Sequence, residues 1–81
     1  MDNHYTIYVK KDCGYCVRAR DELFRQSVNH TIFVMDEYPE ELQAIKDFHE
    51  HPTVPIIFLN MAGMQKLIGG YSDLKKHFDK K

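Results

Sequence analysis

Two cysteines separated by two residues form the segment Cys13-Gly14-Tyr15-Cys16. A thiolate attacks disulfides and a thiol does not, so a redox-active cysteine needs a lowered pKa. A strand-like run ends just before this segment and a helical pattern follows it. The unpaired N–H groups at the start of that helix should therefore face the first sulfur. The spacing predicts thiol-disulfide exchange, with Cys13 as the nucleophile and Cys16 as the resolving thiol.

An alternative for the same pair is half of a structural zinc site, which needs four ligands. The sequence contains no second C-x-x-C, and the close pair His49 and His51 is spaced more tightly than the usual zinc-finger histidines. Lys10 and Lys11 bring positive charge near Cys13, which favours a thiolate there. We therefore expect redox chemistry and no metal site.

The composition limits the other functional classes. With 81 residues and a formal net charge of −1, the chain predicts one domain over residues 1–81 and lacks the basic surface of a nucleic-acid binder. Its longest apolar stretch, residues 54–59, falls far short of the roughly 20 residues that cross a bilayer. Residues 1–4 are polar and lack a signal-peptide pattern. We expect a cytoplasmic protein that binds neither nucleic acid nor membranes.

Strands are expected at residues 4–9, 30–35, 56–59 and 64–68, where β-branched and apolar residues are concentrated. Helices are expected from residue 16 to a stop near Asn29, from residue 39, and over residues 71–81. The order β-α-β-α-β-β-α predicts an α/β fold with a four-stranded mixed sheet flanked by helices.

Several details of the core can also be predicted. The first helix should bury a stripe made of Val17, Arg20, Leu23, Phe24 and Val28, and the strand run at residues 32–34 should be covered on both faces. The second helix should bury Leu42, Ile45 and Phe48. Aromatic residues are most often buried, so a core position is expected for Tyr5, Tyr8, Phe24, Phe33, Phe48 and Phe58.

Pro55 and the pair Gly69-Gly70, in the second half of the chain, have two interpretations each. Pro55 can begin an edge strand or follow a cis peptide bond. Gly69-Gly70 can be a simple turn or can expose backbone N–H groups to an anion. Ser72 and Asp73 suit a helix N-terminus.

Taken together, the sequence resembles the glutaredoxins over nearly its whole length. Three motifs occur in that family's order: the Cys13 to Cys16 segment followed by residues 17–19, then Thr53-Val54-Pro55, then residues 69–73 with the sequence GGYSD. The resemblance implies a thioredoxin fold, a dithiol active site and glutathione as the reductant.

The resemblance also implies a glutathione groove. In it, Lys10, the Gly70 region and Ser72 would meet glutathione carboxylates, while Asp73 would face the γ-glutamyl amino group. Tyr15 would line the groove, and Val54, between Thr53 and a cis Pro55, would pair its backbone with the tripeptide. The groove residues implied in this way are Lys10, Tyr15, Thr53, Val54, Pro55, Gly70, Ser72 and Asp73.

The resemblance suggests partners and leaves two alternatives open. Expected substrates are proteins with disulfides or bound glutathione, among them a ribonucleotide reductase, and the chain is expected to be a monomer. One alternative is a glutaredoxin-like redoxin reduced by thioredoxin reductase. The other is a [2Fe-2S] carrier, because some relatives with a small residue at the position of Gly14 hold a cluster between two subunits.

Overall fold

Three helices and four strands are present in the part of the chain that the computed structural model describes, residues 3–79. The strands are β1 (His4–Val9), β2 (Asn29–Val34), β3 (Ile56–Met61) and β4 (Met64–Gly69). The helices are α1 (Gly14–Arg25), α2 (Pro39–His49) and α3 (Tyr71–Asp79). This is the predicted order of elements. Residues 1 and 2 of the polar N-terminus and residues 80 and 81 of the predicted last helix lie outside the described residues.

The four strands form one mixed sheet in the order β2-β1-β3-β4. β1 and β2 are parallel, and β3 is antiparallel to both β1 and β4. A parallel pair needs a crossover, which α1 supplies, whereas two residues suffice for the β3-β4 hairpin. The sheet and its helices confirm the predicted thioredoxin fold. None of the helices within residues 3–79 is both long and apolar enough to pass through a membrane.

The two faces of the sheet bury separate clusters. On one face, Ile7 and Ile57 contact a cluster that includes Leu23 of α1 and Leu74 of α3, and all four side chains are fully buried. On the other face, Ile56 and Phe58 contact Met35 and Leu42. The first cluster also contains Cys16, so the beginning of α1 is anchored in the core.

The buried face of α1 differs from the prediction. The fully buried positions are Cys16, Ala19 and Leu23, whereas Val17 and Phe24 are 56% and 76% exposed. Both stripes have helical spacing, and they differ by a rotation of one residue. The stripe that contains Ala19 faces the sheet, because its small side chain allows the helix and the sheet to pack more closely.

Some of the aromatic residues expected in the core lie at the surface. Phe48 is 82% exposed, and Phe33 and Val34 are also exposed. β2 is an edge strand, so the expectation that residues 32–34 are covered on both faces was wrong. Phe33 instead stacks on Tyr8 of the neighbouring strand, with ring centroids 5.3 Å apart.

Two helices end without the glycine that usually marks a helix end. Ser27 after α1 and Glu50 after α2 have φ of 55° and 53°. After α2, the N–H of His51 donates to the Lys46 carbonyl at 2.9 Å and that of Glu50 to the Asp47 carbonyl at 3.3 Å, which is the Schellman arrangement. The predicted helix stop at Asn29 was wrong, because α1 ends at Arg25.

Candidate active site

The two cysteines form a disulfide at the start of α1, with their Cα atoms 5.2 Å apart. Cys13 is the N-cap residue of the helix, and its Sγ accepts a hydrogen bond from the backbone N–H of Cys16 at 3.1 Å. An N-cap residue normally supplies an oxygen to one of the unpaired N–H groups of the first turn. In this helix a sulfur takes that place, so the first turn presents a hydrogen-bond donor and its positive dipole end to Cys13.

The two sulfurs differ in accessibility. Cys16 is only 1% exposed and belongs to the core cluster, whereas Cys13 is half-buried. An incoming disulfide can therefore reach Cys13 first, as the sequence predicts. Among residues 3–79, no group of three or more histidine, cysteine or acidic side chains is close enough to hold a metal ion.

The loop before β3 lies against the disulfide. The peptide bond between Val54 and Pro55 is cis, and the Val54 carbonyl oxygen lies 3.9 Å from the Sγ of Cys13. Pro55 is buried and precedes a central strand, so its interpretation as the start of an edge strand was wrong. The turn directs the backbone of Val54 towards the reactive sulfur.

A cavity of about 230 Å³ is lined by Tyr15, between the two cysteines, and by Val54, whose carbonyl oxygen is near the Cys13 sulfur. Its walls come from the start of α1, the cis-proline loop and the start of α3. The rings of Tyr15 and Tyr71 stand 6.1 Å apart at one side. The lining residues are Tyr15, His51, Thr53, Val54, Pro55, Gly70, Tyr71, Ser72 and Asp73. Seven of the eight residues implied for the groove are thus brought together.

Comparisons with known proteins agree with this geometry. Residues 5–62 match the glutaredoxin family. The chain belongs to the glutaredoxin family. A comparison with curated proteins found no match.

Solved glutaredoxins resemble this family member over nearly all of its length. A dithiolic glutaredoxin of Trypanosoma brucei brucei is 33% identical, with a TM-score of 0.78 over 96% of this chain and 79% of that one. A buckwheat glutaredoxin, solved in complex with glutathione, is 26% identical, with a TM-score of 0.77 over 98% and 72% of the two chains. The glutaredoxin family and fold support a thiol-disulfide oxidoreductase.

Lys10 is the one implied groove residue of this glutaredoxin that does not line the cavity. It is exposed at the end of β1 and lines a separate cavity with Met35, Asp36 and Lys46, among others. The loop after it is held by Asp36, whose carboxylate accepts a hydrogen bond from the Lys11 N–H at 2.8 Å.

Asp73 has a structural role beside its implied role in the groove. Its Oδ2 accepts a hydrogen bond from the Gly70 N–H at 3.0 Å. A side chain in the first turn that reaches back to the N-cap N–H is half of a capping box. Gly69 has φ of +120°, and a Cβ there would overlap the Asp73 carboxylate. The glycine that this turn requires is therefore Gly69, which the implied groove residues do not include.

Sequence reasoning missed two groove residues: Tyr71 lies within the GGYSD motif, whereas His51 lies outside all three motifs. His51 follows the left-handed Glu50, and its Nδ1 lies 3.0 Å from the carbonyl oxygen of Thr53. The only sequence signal was its position two residues before Thr53 in the second motif. Histidines are common at surfaces and turns, so that position alone does not distinguish His51 from the other four histidines of the chain.

Proposed function

We propose that this chain is a glutathione-dependent dithiol-disulfide oxidoreductase that reduces protein disulfides and glutathione mixed disulfides. The observation that carries the proposal is the position of Cys13, whose sulfur caps α1 and lies 3.9 Å from the Val54 carbonyl oxygen at the side of the groove. The sulfur therefore has a donor that favours the thiolate and a neighbouring surface on which a substrate can align.

Activation of Cys13 follows from the start of α1. In the reduced protein the Cys16 N–H, which points at the Cys13 sulfur from 3.1 Å, would stabilise a thiolate more strongly than a thiol. A hydrogen bond to a charged acceptor is roughly twice as strong as one between neutral groups. The first turn of the helix adds the favourable end of the macrodipole.

Glutathione recognition is supported by the makeup of the groove. The carbonyl of Val54 beside the sulfur can pair with an extended tripeptide, and the tyrosine side chains of Tyr15 and Tyr71 form an apolar wall. The start of α3 has unpaired N–H groups suited to a carboxylate, and Asp73 supplies a negative charge for an ammonium group. The buckwheat glutaredoxin, which was solved with glutathione, adds support from a relative.

The reaction on a glutathione mixed disulfide needs only Cys13. Its thiolate attacks the glutathione sulfur, so a disulfide forms between Cys13 and glutathione and the thiol of the substrate protein leaves. A second glutathione thiolate attacks the glutathione sulfur of this intermediate. Oxidised glutathione leaves and the Cys13 thiolate is restored.

The reaction on a protein disulfide needs both cysteines. Cys13 forms a mixed disulfide with one substrate sulfur, and the other substrate thiol leaves. The Cys16 thiolate then attacks the Cys13 sulfur, which releases the reduced substrate and leaves the disulfide between Cys13 and Cys16. Two glutathione molecules return this disulfide to the dithiol and become oxidised glutathione. We propose the cytoplasm as the location, because glutathione there keeps thiols reduced.

Paired serine variants test the assignment. Cys16→Ser should keep reduction of a glutathionylated peptide and lose reduction of a protein disulfide, whereas Cys13→Ser should lose both. Each activity is followed with glutathione and glutathione reductase, and separately with thioredoxin reductase, as the source of electrons. Activity in Cys13→Ser would contradict the role of Cys13. Turnover driven by thioredoxin reductase alone would contradict the dependence on glutathione.

A further inference from the structure

The imidazole of His51 stands between two walls of the groove. Its Nδ1 lies 3.0 Å from the Thr53 carbonyl oxygen in the cis-proline loop. Its Cε1 and Nε2 lie 3.8 Å from the point where a Cβ would stand on Gly70. The ring thus reaches from the end of α2 across the loop to the residue before α3.

These contacts determine which nitrogen carries a proton in the neutral ring. A carbonyl oxygen only accepts, so the Nδ1 of His51 must be the donor to Thr53. Nε2 then holds a lone pair and is a hydrogen-bond acceptor. Within the described residues 3–79, Nε2 has no hydrogen-bond partner, and it lies on the side of the ring next to Gly70 in a residue that lines the groove.

The backbone holds this ring in place. The N–H of His51 donates to the Lys46 carbonyl at 2.9 Å in the Schellman turn, and Glu50 before it adopts the left-handed φ of 53°. The ring is therefore fixed at one end by its own backbone and at the other by Thr53. Such a fixed acceptor loses little conformational entropy when a ligand binds.

Asp73 places a second acceptor at the same residue. Its Oδ2 accepts a hydrogen bond from the Gly70 N–H at 3.0 Å. Most of the carboxylate's lone pairs remain for other donors. The charged carboxylate of Asp73 and the Nε2 of His51 are therefore both close to Gly70. An ammonium group, with three donors and one positive charge, can donate to both kinds of acceptor at once.

We propose that His51 is a specificity-determining residue that accepts a hydrogen bond through Nε2 from the α-ammonium of the γ-glutamyl group. The proposal rests on the proposed glutathione-dependent function. His51 adds a neutral acceptor to the negative charge of Asp73, so that substrates with the amino group are preferred over those without it.

The test compares two substrates that differ only in that amino group. One is a peptide disulfide-linked to glutathione, and the other is the same peptide linked to glutaryl-cysteinyl-glycine. The fully reduced protein is mixed with an excess of each substrate, and release of the peptide thiol is followed in a single turnover. The maximal rate and the half-saturating concentration are obtained separately for each substrate.

In His51→Leu, the preference for the substrate with the amino group should fall about tenfold, as expected for one hydrogen bond to a charged group. The change should lie in the half-saturating concentration and not in the maximal rate. His51→Gln should recover most of the preference, because the glutamine amide can donate and accept at once. Asp73→Asn should also reduce the preference, since it removes the charge.

His30 provides a matched control. Its Nδ1 lies 2.9 Å from the Val28 carbonyl oxygen, again two residues away along the chain, and it lines a cavity between α1 and β2, not the groove. His30→Gln should leave the preference unchanged.

Two results would overturn the proposal. If His51→Leu slowed both substrates by the same factor, the histidine would only support the wall of the groove. If it changed neither, the ring would have no part in recognition. If the wild-type protein released peptide from neither substrate, the proposed function itself would be refuted. The two failures can therefore be told apart.

Discussion

Replacing Gly69 with alanine should destabilise the protein by about 2–3 kcal/mol. The backbone at Gly69 has φ of +120°, and a left-handed backbone costs a residue with a Cβ about 1–2 kcal/mol. The new methyl would also overlap the Asp73 carboxylate, which now accepts the Gly70 N–H at 3.0 Å. Moving that carboxylate away removes a helix cap worth about 1 kcal/mol.

The loss should be visible as a lower melting temperature. A domain of 60–100 residues loses about 4–8 °C per kcal/mol, so Gly69→Ala should melt roughly 10–20 °C below the wild type. Thermal unfolding followed by circular dichroism measures this shift, and urea titration measures the free energy of unfolding. The same protein sample should retain its helical spectrum at low temperature, because the change affects one turn.

Gly63→Ala is the matched control. Gly63 has φ of +68° in the β3-β4 turn, and a Cβ there would meet nothing within 4 Å. It should therefore cost only the backbone term of about 1–2 kcal/mol. In a double-mutant cycle, Gly69→Ala should cost only the backbone term when Asp73 is already alanine, because the cap that the new methyl would displace is then absent. If Gly69→Ala cost no more than Gly63→Ala, the overlap with Asp73 would not be the reason for a glycine at this position.

Three further predictions concern other parts of the structure. Glu50→Gly should raise the free energy of unfolding by up to about 1 kcal/mol, because glycine adopts φ of 53° without a Cβ penalty; a lower urea midpoint would contradict this. Leu23 is fully buried, so Leu23→Ala should lower the free energy of unfolding by about 2–5 kcal/mol. Phe24 is 76% exposed, so Phe24→Ala should lower it by less than about 1 kcal/mol. Equal losses in urea unfolding would show that the buried face of α1 is misassigned. Burial raises the pKa of Tyr5, so the unfolded chain loses the phenol proton at a lower pH than the folded protein does. The free energy of unfolding should therefore fall as the pH rises above the ordinary pKa of tyrosine. Tyr5→Phe should lessen that fall in urea titrations at pH 9 to 11.

The position of Cys13 at the start of α1 could be predicted from the sequence because it depends on neighbours along the chain. A strand end, a cysteine and a helix start in succession place that sulfur at the N-cap, where it accepts the Cys16 N–H. The element order was predictable for the same reason, since hydrophobic periodicity and turn residues are local signals.

The groove was predicted by family resemblance rather than by physical reasoning from the residues. The motif containing Val54 and the motif containing Asp73 are separated by the β3-β4 hairpin, and the folded sheet brings both to one cavity. Their proximity could be expected because the motifs occur in the order of a known family. His51 belongs to neither motif, so its place in the groove was not foreseen.

The sequence by itself determined the reactive pair, the order of helices and strands, and the mixed sheet that this order requires. Only the tertiary structure decided that Leu23 is buried and Phe24 is not, that β2 lies at the sheet edge, and that His51 lines the groove while Lys10 lines another cavity. The physical reason is that both stripes of α1 have helical spacing and every histidine has the same chemistry. The choice among them depends on contacts with residues distant along the chain.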